Sequence, residues 1–196
     1  MTCLLPHESC YGVSMASASW AKIARRIRVP LGFVFTAVYL WLATPTAASM
    51  LIGSALIIPG LAIRALASGH IKKNEQLATT GPYAHTRNPL YLGSLILAVG
   101  FAISARNLWI GAGLILIFLA IYLPVIRGEE TFLREHFAEF AEYARQVPRL
   151  WPRLNSFSTI RGSFSWNLYW KHREYNATLG SGLLMAAMMT KWLYRR

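Results

Sequence analysis

Apolar residues in this chain fall in long unbroken blocks. From Val29 to Ala67 every position is apolar or small except Arg64, with Thr44-Pro45-Thr46 in the middle. A membrane span needs about 20 residues, so the block predicts two short spans, 29–44 and 48–67, joined by a tight turn. Pro45 lacks the amide that would let a helix continue. A second apolar pair follows at 89–104 and 108–126, divided by Ala105-Arg106-Asn107. A fifth block, 177–194, is rich in Gly and Met and carries Lys191. It predicts either a further span or a helix lying in the interface, with Met185, Met188 and Met189 packed against lipid or neighbouring helices.

Beyond the fourth block the pattern becomes amphipathic. Leu133, Phe137, Phe140 and Ala144 keep helical spacing, while Arg134, Glu135, Glu139, Glu142 and Arg145 lie mostly on other faces. This predicts an interfacial helix over 129–145. The fold class expected is all-α: a polytopic membrane helix bundle of four to five transmembrane helices with a cytoplasmic amphipathic helix. Three regions follow: a basic segment 1–28, a membrane core 29–153, and an aromatic and basic interfacial segment 154–196 ending in the helix 177–194.

Composition agrees with a membrane chain. Of 196 residues, 55% are hydrophobic and 14% charged, against about 25% charged in soluble domains. Disordered, collagen-like and disulfide-scaffold classes are excluded. The net charge of +12 has a topological explanation. Lys22, Arg25, Arg26 and Arg28 precede the first block, and Lys72, Lys73 and Arg87 lie between the second and third. Eight more basic residues, from Arg127 to Arg173, follow the fourth. The two short turns hold only Arg106. Basic residues collect on the cytoplasmic side, which places the N-terminus, 68–88 and 127–175 there, and nucleic acid is not needed as a partner. Trp151, Trp166, Tyr169 and Trp170, interleaved with Arg153, Arg161, Lys171 and Arg173, are expected to form a headgroup-level belt. Cys3 and Cys10 lack the second pair that a zinc site needs, and no metal is expected. Thr46-Ala47-Ala48 imitates a signal-peptide cleavage site, but a further apolar block follows at once and cleavage is not expected.

Two cytoplasmic stretches carry candidate chemistry. In the first, Gly81-Pro82 marks a turn, and Asn88-Pro89 reads as a helix start with Asn as N-cap and Pro at the first helical position. The positive end of that helix faces the loop and suits an anionic group; Tyr83 and Tyr91 add ring faces. In the second stretch, Glu129 and Glu130 stand where the chain leaves hydrocarbon, a costly position for a carboxylate that is neither paired nor used. A hairpin across the membrane makes the two stretches neighbours. The pocket between them would suit a polar, part-cationic, nucleotide-like molecule with a lipid-soluble substrate beside it.

The run Gly81-Pro-Tyr-Ala-His-Thr-Arg-Asn-Pro-Leu-Tyr-Leu-Gly93, then Glu129-Glu130, Phe137, Tyr143 and Val147-Pro148, resembles the isoprenylcysteine carboxyl methyltransferase and phospholipid methyltransferase group over residues 50 to 152. The resemblance implies an integral membrane enzyme that moves a methyl group from S-adenosylmethionine to an amphiphile at the cytoplasmic face. It implies cofactor contacts at Glu75, Gln76, Leu77 and Ala78, at Tyr83, at Arg87, Asn88, Pro89, Leu90 and Tyr91, and at Glu129 and Glu130. Arg127 is the nearest match to the family's substrate arginine. Asn88 replaces a histidine found in many members, so a mechanism that uses imidazole as base at that position does not carry over. No general base is assigned, and His85 is expected to be a loop residue. Alternatives are an NADPH-dependent reductase resembling the membrane sterol reductases, which would call for additional basic residues around a 2′-phosphate, and a non-catalytic membrane scaffold.

Overall fold

The computed structural model describes residues 30, 32–71, 76–157 and 162–195. The described residues form helices and turns without a β-strand. Helix α1 covers Gly32–Leu42 and α2 Ala47–His70. A 3₁₀ turn at Gly81–Ala84 leads to α3, Pro89–Ala105. Helix α4 is continuous from Leu108 to His136. Shorter helices α5, Phe140–Gln146, and α6, Trp166–Lys171, precede α7, Tyr175–Tyr194. Helices α2 and α4 are long and apolar enough to cross a membrane; α1 and α3 are apolar but shorter. Outward positions such as Leu51, Ile58, Leu116 and Trp109 are exposed and large, as on a helix bundle whose solvent is hydrocarbon.

The two short turns close one end of the bundle. Thr46 and Ser49 cap α2 reciprocally, each side chain accepting from the other's amide. Asn107 starts α4 by accepting from the Trp109 amide and donates to the Leu42 carbonyl at 3.1 Å. The Thr44 amide donates to the Ala105 carbonyl at 2.9 Å. These bonds fasten the α1–α2 turn to the α3–α4 turn.

Small residues set the α2–α3 contact. A Cβ on Gly53 would stand 2.5 Å from the Gly100 carbonyl, and one on Gly93 would stand 2.8 Å from the Gly60 carbonyl. The two helices therefore meet backbone to backbone along two heptad-spaced glycines each. That is how helices associate where apolar surface gains nothing by leaving lipid.

Helix α7 runs the length of the bundle. Glu174, just before it, pairs with Arg64 of α2, and Lys191 near its far end donates to the Leu40 and Trp41 carbonyls that close α1. Between them Met188 is buried with Tyr39, Met50 and Ile110. Twenty residues extend about 30 Å, and the helix expected at 177–194 packs along this bundle. Residues 162–174 likewise fold back onto the core, the Ser165 amide donating to the Gly69 carbonyl and His172 Nδ1 to that of Ser68.

One expectation is corrected. The interfacial helix 129–145 is two pieces: α4 carries straight through Glu129 and Glu130 to His136, then turns at extended Phe137 into α5. Leu133, Phe137 and Ala144 do pack together with Phe140, Tyr143 and Val147, but around a corner, because burying Phe137 there breaks the helix. Helix α4 also contains a π-helical segment, Phe118–Tyr122. Pro124 has no amide for a regular i→i−4 bond, and the Leu123 amide bonds instead to the Phe118 carbonyl.

Gly100→Leu should lower stability by about 2 kcal/mol through overpacking, because its Cβ would lie 2.8 Å from both the Gly53 carbonyl and Ile57. Gly180→Leu, with nothing within 4 Å, should be close to neutral. Thermal unfolding in detergent measures both; equal effects would contradict the packing described.

Candidate functional site

The site lies at the bundle end opposite the two short turns, where the chain from Thr80 to Asn88 is clamped by 143–157. Gly81 opens the 3₁₀ turn at φ +60°, a left-handed conformation suited to glycine, against the His70 ring. The clamp is antiparallel. The Phe157 amide donates to the Ala84 carbonyl at 3.0 Å, the Arg153 amide to His85 at 2.9 Å, and the Arg87 amide to Pro148 at 3.0 Å. Tyr143 Oη donates to the Tyr83 carbonyl at 2.7 Å, and Thr86 Oγ1 to the carbonyls of Arg149 and Leu150. His85 Nδ1 donates to the Arg153 carbonyl at 2.9 Å, the fastening of a loop residue.

Glu130 is the centre of this clamp, and only 5% of it is exposed. Its Oε2 accepts from Arg149 Nε at 3.0 Å and Nη2 at 2.6 Å; its Oε1 accepts from Asn88 Nδ2 at 3.2 Å and stands 3.5 Å from Arg87 Nε. The Glu130 carboxylate thus joins the start of α3, the end of α4 and the 148–150 segment. Its hydrogen bond pushes the Arg149 pKa up from the usual value. Asn88 sits at the N-cap position, yet its side chain does not cap α3: the amide is used on Glu130 and on the Arg149 carbonyl at 3.1 Å. Pro89, buried in the first turn, has no amide to offer a ligand, so that part of the expected anion site rests on the helix dipole instead.

The adjacent glutamate behaves differently. Glu129 is exposed, about 100° around the helix from Glu130, and accepts from Tyr91 Oη at 3.0 Å. The Tyr91 ring meets Tyr122 edge to face at 5.8 Å. Tyr83 is buried below them. Burial first, then the charges of Tyr143, Glu129, Tyr91 and Glu174, push its pKa far up, and the hydroxyl stays protonated. Burial also raises the Tyr143 pKa, with Glu130 adding to it and Arg87 opposing.

The predicted site residues therefore separate into groups. Tyr91 and Glu129 are joined on the open side, Tyr83 is buried, and Arg87, Asn88 and Glu130 form the internal node. The Leu90 carbonyl lies within 3.5 Å of Arg64 Nη1. Leu77 packs on Phe140, Tyr143 and Val147, away from the acidic pair. Gln76 is exposed and Ala78 half-buried, and Glu75 lies outside the described residues. Arg127 is exposed on α4, and its side chain joins no polar contact among the described residues. Sequence reasoning missed Arg149, Arg64 and Glu174. Arg64 had a signal, as the lone charge in an apolar block; Glu174 had none.

An apolar cavity of about 170 Å³ opens beside the site, between α1, α3 and α4. Phe35, Ala98, Leu114 and Ile117 line it, with Ser94 and Tyr122 at its polar end. Glu129 is an accessible acceptor, and Tyr91 and Tyr122 offer aromatic surface.

The described residues thus form an all-helical bundle with apolar outer faces and a polar, aromatic cluster at one end. The model of the phospholipid methyltransferase family matches residues 27–139, more than half of the chain, and the protein belongs to that family. Among curated proteins, the cobalt-zinc-cadmium resistance protein CzcN of Cupriavidus metallidurans is 42% identical over 98 residues, 50% of this chain and 44% of the relative. The nickel-cobalt-cadmium resistance protein NccN of Alcaligenes xylosoxydans xylosoxydans is 34% identical over 128 residues, 62% of this chain and 60% of the relative. The chain thus spans about half the length of these relatives. No solved structure gives a significant match.

Glu130→Ala should destabilise the protein by about 3 kcal/mol, because it strips partners from Asn88, Arg87 and Arg149 at once. Glu129→Ala, at an exposed position, should stay within about 0.5 kcal/mol of the parent. Denaturation in mild detergent tests the contrast; equal losses would contradict the division of the two carboxylates.

Proposed function

We propose that this protein is a multi-pass membrane methyltransferase that transfers the methyl group of S-adenosylmethionine to a lipid-like or prenylated amphiphile. Four to five of its helices cross the bilayer, α2 and α4 among them, and the site opens at the cytoplasmic face. The charge distribution supports that orientation: Arg87, Arg127, Arg134, Arg145, Arg149, Arg153, Lys171 and Arg173 all belong to segments at the site end. The observation that carries the function is the Tyr91–Glu129 hydrogen bond, which brings the two predicted stretches into contact.

Bound S-adenosylmethionine supplies an activated methyl on a sulfonium. The chain's own residues bind and orient it. Glu129 accepts from a ribose hydroxyl or the adenine amino group, and Tyr91, aligned by that carboxylate, turns its ring toward the cationic part. The positive end of the α3 dipole favours the donor's carboxylate. Glu130, Asn88 and Arg149 act behind these groups by holding the 81–88 turn against α4. In-line transfer depends on alignment and on excluding water, and the apolar cavity beside Tyr122 is where the acceptor's hydrocarbon would approach. No described group is assigned as a base. An NADPH reductase is disfavoured because Arg87 and Arg149 are tied to Glu130 and Arg64 to Glu174, leaving none of them for a 2′-phosphate. The relatives are named for metal resistance; a modified membrane amphiphile is the route by which such chemistry would contribute here.

Glu129→Ala should raise the dissociation constant for S-adenosylmethionine about tenfold, the worth of one charge-assisted hydrogen bond, with membrane insertion intact. Unchanged affinity by calorimetry would remove Glu129 from the pocket. Incubation of the parent protein with labelled donor and membrane lipid extract should yield a labelled organic-soluble product; its absence, with donor bound, would contradict the acceptor class.

A further inference from the structure

Arg64 is the single charge in the apolar block that forms α1 and α2. It crosses α3 where Gly93 leaves room; a Cβ there would stand 2.6 Å from Arg64 Cγ. Its Nη1 donates to Ser94 Oγ and approaches the Leu90 carbonyl at 3.5 Å, and its Nε donates to Glu174 Oε1 at 2.5 Å. The two side chains are 22% and 11% exposed. A pair so enclosed in an apolar bundle persists because each charge neutralises the other. The pair also borders the proposed donor pocket. Leu90 precedes Tyr91, Ser94 lines the apolar cavity, and Glu174 lies near enough to Tyr83 to act on its hydroxyl together with Glu129. Glu174 falls beyond residues 27–139, the part that matches the family.

We propose that Glu174 is a positioning residue for the donor pocket: it neutralises Arg64, so that α2 holds the first turn of α3 through a guanidinium that presents no net positive charge to the sulfonium. This rests on the pocket binding S-adenosylmethionine, and it makes a contribution from the C-terminal segment part of the site. The donor carries a positive charge at sulfur and the demethylated product, S-adenosylhomocysteine, does not. An unpaired Arg64 would therefore penalise donor and product unequally, whereas a loss of shape alone would penalise both.

The test measures the affinities of both compounds, by calorimetry on detergent-purified full-length protein, for the parent, Glu174→Gln, Arg64→Gln and the double variant. In Glu174→Gln the donor should bind about tenfold more weakly, as expected for one uncompensated unit charge at the border of the pocket in a partly hydrated protein, while product affinity changes by less than about twofold. The double variant, which is again neutral, should recover the parent's donor-to-product ratio. Arg64→Gln, which leaves Glu174 unpaired, should shift the ratio the opposite way, and it serves should Glu174→Gln fail to fold. Equal weakening of donor and product, or no recovery in the double variant, would overturn the role of Glu174 while leaving the pocket in place. A parent protein that binds neither compound would overturn the proposed function itself.

Discussion

A carboxylate taken out of water must be met by charge and hydrogen bonds, and Glu130 is met from three directions. Arg149 and Arg87 supply the charge and Asn88 an amide proton. None of these partners is near Glu130 in sequence, so satisfying one buried group brings the 86–89 turn, the end of α4 and the 148–150 segment to one point. Tyr91, one turn beyond Asn88, then faces Glu129, one residue before Glu130. The open side of the site is set by the closed side.

The membrane-like bundle beneath supplies the frame. Backbone contact of α2 and α3 through Gly53, Gly60, Gly93 and Gly100 fixes the height of Pro89 and Tyr91 against α2. The interlocked turns at Thr44 and Asn107 fix the far end. The π-helical segment before Pro124 sets the register of the rest of α4, bringing Tyr122 against Tyr91. Arg64 and Glu174 add α7 to the same assembly.

Much of this was legible in the sequence because it follows from one-dimensional regularities. Apolar blocks separated by Thr44-Pro45-Thr46 and Ala105-Arg106-Asn107 gave the hairpins, and Asn88-Pro89 gave the start of α3. What escaped depends on rotation and distant partners. Glu129 and Glu130 read as a doublet, yet a 100° step on a helix puts one in solvent and the other in the core. Asn88 is an N-cap by type and position, and only the nearness of Glu130 diverts its side chain. The heptad-like run through Phe137 and Phe140 has the same spacing whether the helix continues or folds over its own apolar face. Glu174 is one glutamate among basic and aromatic residues, and nothing local ties it to Arg64, 110 positions earlier.

Hydrogen exchange on the backbone amides of Arg87, Arg153 and Phe157, compared between the parent and Glu130→Gln, reads the central node most directly. These three amides bridge the 84–87 turn to the 148–157 segment without touching Glu130. If the buried carboxylate holds the two segments together, all three should lose protection in concert. Retained protection, or loss at one amide alone, would show that the clamp stands without Glu130.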